Sequence, residues 1–253
     1  MTGKTLSIGW LYPDLMSTYG DRGNIFSLKK RCEWRGIKTD ILTIDSSTKN
    51  NVLEKIDIIF GGGAQDLEQE IVMRDLRGEK GKIIKDLITN HLPALFVCGA
   101  PQLMGRYYEP GVGKRIEGLG IFDITTTHPG PSQPRLIGNV VAKVELTDLS
   151  TTIVGFENHG GRTTLGKDAK PFAKVIKGNG NNGEDRTEGV IYNNAIGCYF
   201  HGPLLPKNPT ITDWLLVKAL ERKYKEKIEL AKLDDLLENQ AHSAIATRLG
   251  IGV

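Results

Sequence analysis

Cys98 stands where a short apolar run, Leu95-Phe96-Val97, stops and Gly99 follows, after which Gln102-Leu103-Met104 begins a helical pattern. A strand, a tight turn and a helix in that order form a nucleophile elbow: small neighbours permit the turn, and the free N–H groups of the helix start face the sulfur. Such a setting favours the thiolate, the reactive form of cysteine. The competing reading is a buried cysteine packed as a small hydrophobe. A thiolate needs a base that can later act as an acid, and histidine serves both roles near neutral pH. Of His91, His128, His159, His201 and His242, His201 directly follows the apolar run Ile196-Gly-Cys-Tyr-Phe200, so it opens on the same sheet edge as Cys98. His159, in Glu157-Asn-His-Gly-Gly161, also lies at a strand end and competes for the role. His91 and His242 are expected to be solvated. Acyl transfer also needs oxyanion donors. The turn Gly61-Gly62-Gly63 and the residue after the nucleophile offer backbone amides near Gly62 and Gly99, although a plain βα turn explains the same glycines. A phosphate loop is disfavoured, because no Lys-Ser or Lys-Thr follows at the required spacing. No histidine pair or acidic cluster has metal-ligand spacing, so no metal is expected.

The elements that must position these groups alternate. Strands are expected at Leu6–Leu11, Ile41–Ile44, Ile56–Phe60 and Ala94–Val97, and helices at Asn24–Trp34, Leu67–Leu76 and Ile83–Asn90. That rhythm predicts βαβ units and an α/β fold of three layers, flavodoxin-like, around a mostly parallel central sheet. Beyond residue 120 short strands follow one another, at 120–126, 138–144, 152–156, 174–177, 190–192 and 195–200, separated by turns such as Pro129-Gly-Pro131. They are expected to extend the sheet or add an antiparallel layer. Thr212–Tyr224 reads as a closing helix of the domain 1–224, and 225–253 as a C-terminal helical extension.

The chain has 253 residues, 39% hydrophobic and 25% charged, with a formal net charge of +3. Those values fit a globular protein large enough to bury a full core. Lys and Arg are dispersed rather than clustered, which excludes the footprint of a nucleic-acid binder. Three cysteines, none in a C-x-x-C motif, point to a reducing compartment, and no segment has the length of a membrane span. A cytoplasmic location is expected.

Seven motifs in order resemble the type 1 glutamine amidotransferases, in their cobyric-acid-synthase-like (CobB/CobQ-like) branch. They are Tyr19-Gly-Asp-Arg-Gly-Asn24, Phe60-Gly-Gly-Gly-Ala-Gln-Asp66, Val97-Cys-Gly-Ala-Pro-Gln-Leu103, Glu117-Gly-Leu-Gly120, Pro134-Arg-Leu-Ile-Gly138, Val154-Gly-Phe-Glu-Asn-His-Gly-Gly-Arg-Thr163 and Tyr199-Phe-His-Gly-Pro-Leu-Leu-Pro206. The resemblance implies a glutaminase in which Cys98 is nucleophile, His201 is base and Arg135 binds the α-carboxylate of L-glutamine. It also implies no cofactor in this chain. The Phe156–Thr163 segment resembles the peptidoglycan branch, whose glutaminase subunits pair with a Mur-ligase-like (MurT-type) partner. That partner carries ATP and Mg²⁺ and amidates the D-glutamate of a stem peptide, so a heterodimer is implied.

Three departures stand out. Many type 1 enzymes have a glutamate two residues after the histidine, where this chain has Pro203. The third triad member is therefore expected from the partner, with Asp21 and Glu157 as alternatives within the chain. The elbow reads Cys-Gly-Ala-Pro in place of Cys-Gly-Gly and an aromatic, and the tail carries no motif. The rival functions are an amidotransferase for another acceptor such as a corrinoid precursor, a non-catalytic binding subunit, and a stand-alone Cys-His hydrolase.

Overall fold

In the computed structural model, which describes residues 3–130 and 132–252, the first half alternates as its sequence predicts. In order come β1 (Thr5–Leu11), α1 (Arg22–Glu33), β2 (Lys38–Ile44), the single turn α2 (Asn50–Leu53), β3 (Ile58–Gly61), α3 (Asp66–Leu76), α4 (Glu79–Thr89), β4 (Ala94–Val97) and α5 (Gly99–Met104). The second half holds β5 (Tyr107–Glu109), β6 (Ile116–Glu117), β7 (Ile124–Thr127), β8 (Leu136–Leu146), β9 (Leu149–His159), β10 (Arg162–Leu165), β11 (Ala173–Lys177), β12 (Thr187–Glu188), β13 (Val190–Tyr192) and β14 (Ala195–Cys198). Two helices, α6 (Pro209–Tyr224) and α7 (Leu236–Arg248), end the chain. Of the turn expected at Pro129–Pro131, Pro131 lies outside the described residues.

The central sheet runs β13-β14-β4-β3-β1-β2, parallel throughout except for β13. Its inner strands β14, β4 and β3 are apolar without interruption because both faces are covered. Leu6, Ile8, Ile58, Phe60, Leu95 and Val97 face one core, shared with α1, α6 and β8. The alternate residues Leu11, Ile59, Ala94 and Phe96 face the other, shared with α3, α4 and α5. Three layers result, as the strand–helix rhythm predicts.

Of the later strands only β13 and β14 extend the central sheet. The rest form two separate four-stranded sheets, β10-β7-β5-β6 on the α5 side and β12-β11-β8-β9 on the α1 and α6 side. The β8–β9 hairpin is longer than its sequence signal, pairing without a break from Leu136↔His159 to Leu146↔Leu149. Its outer end therefore carries Asn158 and His159 back toward the carboxyl edge of the central sheet.

The tail departs from the helical expectation for its first third. Lys225 takes a left-handed φ of 56° and stops α6. Residues 226–235 then run without helix, because their anchors act singly: Ile228 is buried in the first core, Arg35 Nε donates to Ala231 O at 2.7 Å, and Arg31 pairs with Asp235. Both guanidiniums also grip Asp213 of α6, Arg31 Nε at 2.7 Å and Arg35 Nη2 at 2.7 Å. Beyond this strap, Ala246 of α7 packs on Val141 and Val154. Arg31 is 2% exposed, whereas Asp213 and Asp235 remain about a quarter exposed, so water offsets part of the loss when the cation is removed. Arg31→Ala is expected to lower the unfolding free energy by about 2 kcal/mol, below the range for fully buried pairs, as read by urea denaturation.

Candidate active site

The elbow is strained where a nucleophile elbow should be. Cys98 has φ 56° and ψ −100°, a conformation that costs a non-glycine residue roughly 1–3 kcal/mol and persists only where its surroundings enforce it. The enforcement is visible: Cys98 N–H donates to Cys198 O at 2.8 Å across the end of β14. Gly99 must lack a side chain, since a Cβ there would lie 2.9 Å from Ala64 N and 3.0 Å from Ala64 O. Ala100 and Pro101 sit in the first turn of α5 without positive φ, so the departure from Cys-Gly-Gly leaves the turn intact. Cys98 is half-buried, whereas Cys32 and Cys198 are fully buried in the core, and burial pushes the Cys32 thiol up to about 12.

His201 follows β14, as expected. Its backbone pairs with Phe156 of β9 through N–H···O contacts of 2.7 and 3.2 Å, and its ring is buried. Nδ1 meets Oδ1 of Asp21 at 3.0 Å, and the other carboxylate oxygen accepts the Gly63 N–H at 2.8 Å. Thus an in-chain residue, Asp21, stands where a third triad member would stand. Glu157, the other in-chain alternative, is turned away and accepts from Asn179 and Gly180. Burial opposes the imidazolium, but the charge of Cys98 and the hydrogen bond that Nδ1 donates to the Asp21 carboxylate outweigh it, and the His201 pKa is pushed up to about 10. Nε2 makes no hydrogen bond among the described residues and is the atom free to exchange protons with the site.

Cys98 opens on a cavity of about 390 Å³ at the carboxyl edge of the sheet, lined also by Ala64, Gln69, Gln102, Arg135 and His159. That volume suits a small polar metabolite. Arg135 lies at its exposed rim, with Nε donating to Asn158 Oδ1 at 2.9 Å and Nη2 to Asn158 O at 2.8 Å. Asn158 in turn donates to the Tyr19 hydroxyl at 3.0 Å. One edge of the guanidinium is thereby fixed, and Nη1 stays available for a carboxylate. Gly62 lies behind the lining, where a Cβ would meet Met16 O at 2.5 Å. Among the described residues the N–H groups of Ala64 and Gly99 make no hydrogen bond. His159 is near His201 but is not bonded to Asp21. Its Nδ1 faces Gly161 O at 2.8 Å and its ring stacks on Tyr199 with centroids 3.7 Å apart. Burial pushes its pKa down to about 4, with nearby Arg162 and His201 adding to the shift, so it is a neutral ring whose Nε2 has no partner. His242, expected to be solvated, instead meets Lys207 O through Nδ1 at 3.0 Å.

A buried polar chain underlies the cavity. Thr126 bonds Thr163, Thr163 bonds the Tyr199 hydroxyl at 2.7 Å, Gln102 donates to that hydroxyl at 3.0 Å, and Gln69 donates to Gln102 at 3.1 Å. It ties β7 and β10 to α5 and α3, so the smaller sheet supports the elbow from behind.

Residues 7–209 match the CobB/CobQ-like glutamine amidotransferase domain. The chain belongs to that family. Among relatives of this amidotransferase, the lipid II isoglutaminyl synthase (glutamine-hydrolyzing) subunit GatD of Streptococcus pneumoniae is 42% identical over 93% of this chain and 88% of its own length. The GatD subunit of Staphylococcus aureus is 40% identical over 96% of both chains. A cobyric acid synthase of Desulforamulus reducens is 30% identical over 72% of this chain but only 37% of its own length. A Thermotoga maritima glutamine amidotransferase (TM-score 0.54, 15% identity, 96% and 94% of the two chains covered) shares the fold. So does the glutaminase domain of Trypanosoma brucei CTPS with bound acivicin (TM-score 0.56, 13% identity, 89% and 96% covered). This amidotransferase is therefore a glutamine-hydrolysing enzyme on the class I, flavodoxin-like fold. Among its described residues no helix is long and apolar enough to cross a membrane.

Gln69, Gln102 and His128 also border the amidotransferase cavity; Gln102 lies within the elbow motif and His128 among the five histidines, but the sequence assigned none of the three a role. The position of Asp21 generates a test. Asp21→Asn removes the charge that favours the imidazolium, so the His201 pKa falls from about 10 toward its ordinary 6.5 and the proton is lost at lower pH. An NMR titration of His201 should show that downward shift, with kcat for glutamate release lowered roughly 10²–10⁴-fold by analogy with losing a triad carboxylate.

Proposed function

We propose that this chain is the glutaminase subunit of a lipid II isoglutaminyl synthase. The observation that carries the reading is identity of 42% and 40% to GatD subunits along nearly the full length of both partners in each comparison. In this reading Arg135 at the rim takes the α-carboxylate of L-glutamine and the side-chain amide reaches Cys98. The thiolate attacks the amide carbon, and His201 Nε2 delivers its proton to the departing ammonia. The resulting γ-glutamyl thioester is then attacked by water whose proton passes to Nε2, which releases glutamate and restores the thiolate. Asp21 keeps the ring in one tautomer and orientation through Nδ1. The oxyanions are held by Gly99 N–H and by the Gly62–Ala64 turn, where the Ala64 N–H is free and beside the elbow.

The ammonia passes to a Mur-ligase-like, MurT-type subunit that binds ATP and Mg²⁺ and amidates the D-glutamate of a peptidoglycan precursor, in a cytoplasmic heterodimer. A corrinoid acceptor is disfavoured because the chain spans about a third of the cobyric acid synthase it matches, whereas it spans nearly all of the GatD chains.

The test is glutamate release from glutamine by the purified chain, alone and with its MurT-type partner, followed by amidation of lipid II with ATP. Wild type should release glutamate and support amidation, and Cys98→Ala should abolish both. Arg135→Ala should raise KM about 10- to 100-fold, the loss of one charge-assisted contact, with a smaller change in kcat. Release that survives in Cys98→Ala removes Cys98 from the mechanism, and a wild type inert with its partner points to a non-catalytic subunit.

A further inference from the structure

An amide can serve an oxyanion only if its peptide plane is turned the right way, and in the trans peptide that follows Gly63 the carbonyl and the N–H point in opposite directions. Both ends of that plane are accounted for. Gly63 O accepts two hydrogen bonds from a single residue, the Thr18 N–H at 3.2 Å and the Thr18 hydroxyl at 3.0 Å. The Ala64 N–H at the other end makes no hydrogen bond among the described residues and lies against Gly99, the residue after the nucleophile. The preceding peptide is fixed separately, by the Gly63 N–H on Asp21 at 2.8 Å. If the Gly63–Ala64 plane turned over, the carbonyl would occupy the position of the donor, and an acceptor would face the developing negative charge.

We infer that Thr18 is a positioning residue for the reaction: through its hydroxyl and its N–H it locks the Gly63–Ala64 peptide with the Ala64 N–H toward Cys98. Its role is separate from that of Asp21, three residues on, which acts on the ring of His201. One short loop after β1 thus sets the base with one residue and the oxyanion amide with another. The inference rests on the glutaminase reading above and adds to it a residue that touches neither the sulfur nor the imidazole.

The experiment compares Thr18→Val and Thr18→Ser with wild type, each alone and with the MurT-type partner. Valine keeps the shape and the backbone N–H bond but deletes the hydroxyl; serine restores it. For Thr18→Val the expected result is a fall in kcat for glutamate release of about 10-fold, less than the 10²–10³ of losing an oxyanion donor outright, with KM for glutamine within about twofold. Alkylation of Cys98 by iodoacetamide, which develops no oxyanion, should proceed at the wild-type rate, and Thr18→Ser should recover most of kcat. Wild-type kcat in Thr18→Val overturns the inference, as does a loss of alkylation that parallels the loss of kcat, or a serine variant no better than valine. Absence of glutamate release by wild type is a distinct outcome, and it overturns the glutaminase reading before any variant is compared.

Discussion

The carboxylate of Asp21 is fully buried and divided between two partners, Nδ1 of His201 and the N–H of Gly63. A buried charge is tolerated only when its desolvation is offset by close, well-directed partners, and here both oxygens have one. The three residues come from the loops after β1, β3 and β14, which no local interaction holds together. Strand order makes their meeting possible. The chain leaves β1 toward β2 on one side and returns to β3 on the other, so the loops after β1 and β3 diverge at the point where open α/β sheets bind ligands. Asp21 spans that crevice. Asn24 reinforces the junction, donating to Asp21 O at 3.0 Å and accepting the Leu205 N–H at 2.9 Å, while a Cβ on Gly23 would overlap Pro203.

Close approach of backbones is the second constraint, and it explains why so many motif positions are small. Gly61 faces the methyl of Ala100 at 3.1 Å from an added Cβ, Gly99 faces the Ala64 peptide, and Gly155 of β9 leaves room for the ring of Phe200. Each contact brings one backbone segment nearer to another than a side chain would permit. Strain at Cys98 is held by the same packing: β14 on one side, through Cys198 O, and the glycine turn on the other. The cost is local, and stability comes from the two apolar cores beneath.

Much of this was legible in the sequence because the relevant signals are local. The buried parallel strands read as apolar runs, and Cys98 and His201 were singled out by what precedes and follows them. Asp21 was named only as one of two in-chain alternatives, since a carboxylate at a helix start reads equally as a cap, and its partner lies 180 residues away. Thr18 gave no signal, because what matters is a backbone carbonyl it meets across the fold. The two smaller sheets were blurred for a different reason: β6 and β12 are two residues long, too short for any periodicity. The tail was read as helical because Ile228, Leu233 and Leu236 have plausible spacing, yet the binding of residues 226–235 is decided by Arg31 on α1 and Arg35 just after it.

Two buried histidines, each at a strand end near the elbow, are pushed in opposite directions from the ordinary imidazole value, and the difference lies in the groups that face each ring. His201 faces the charge of Cys98 and the Asp21 carboxylate and is pushed up to about 10 against the opposing effect of burial; His159 faces the Gly161 carbonyl, a dipole rather than a charge, and burial pushes it down to about 4. Either ring at the other's position would reverse its state, since burial disfavours the cation at both. A pair of imidazoliums so close would also repel, so the charge of His201 helps to keep His159 neutral. The proposed general acid is thus the ring whose surroundings favour the proton, whereas the surroundings of the other favour the neutral form. Histidine type alone could not have separated the two rings, whose difference follows from Cys98 and Asp21 being placed against one and not the other.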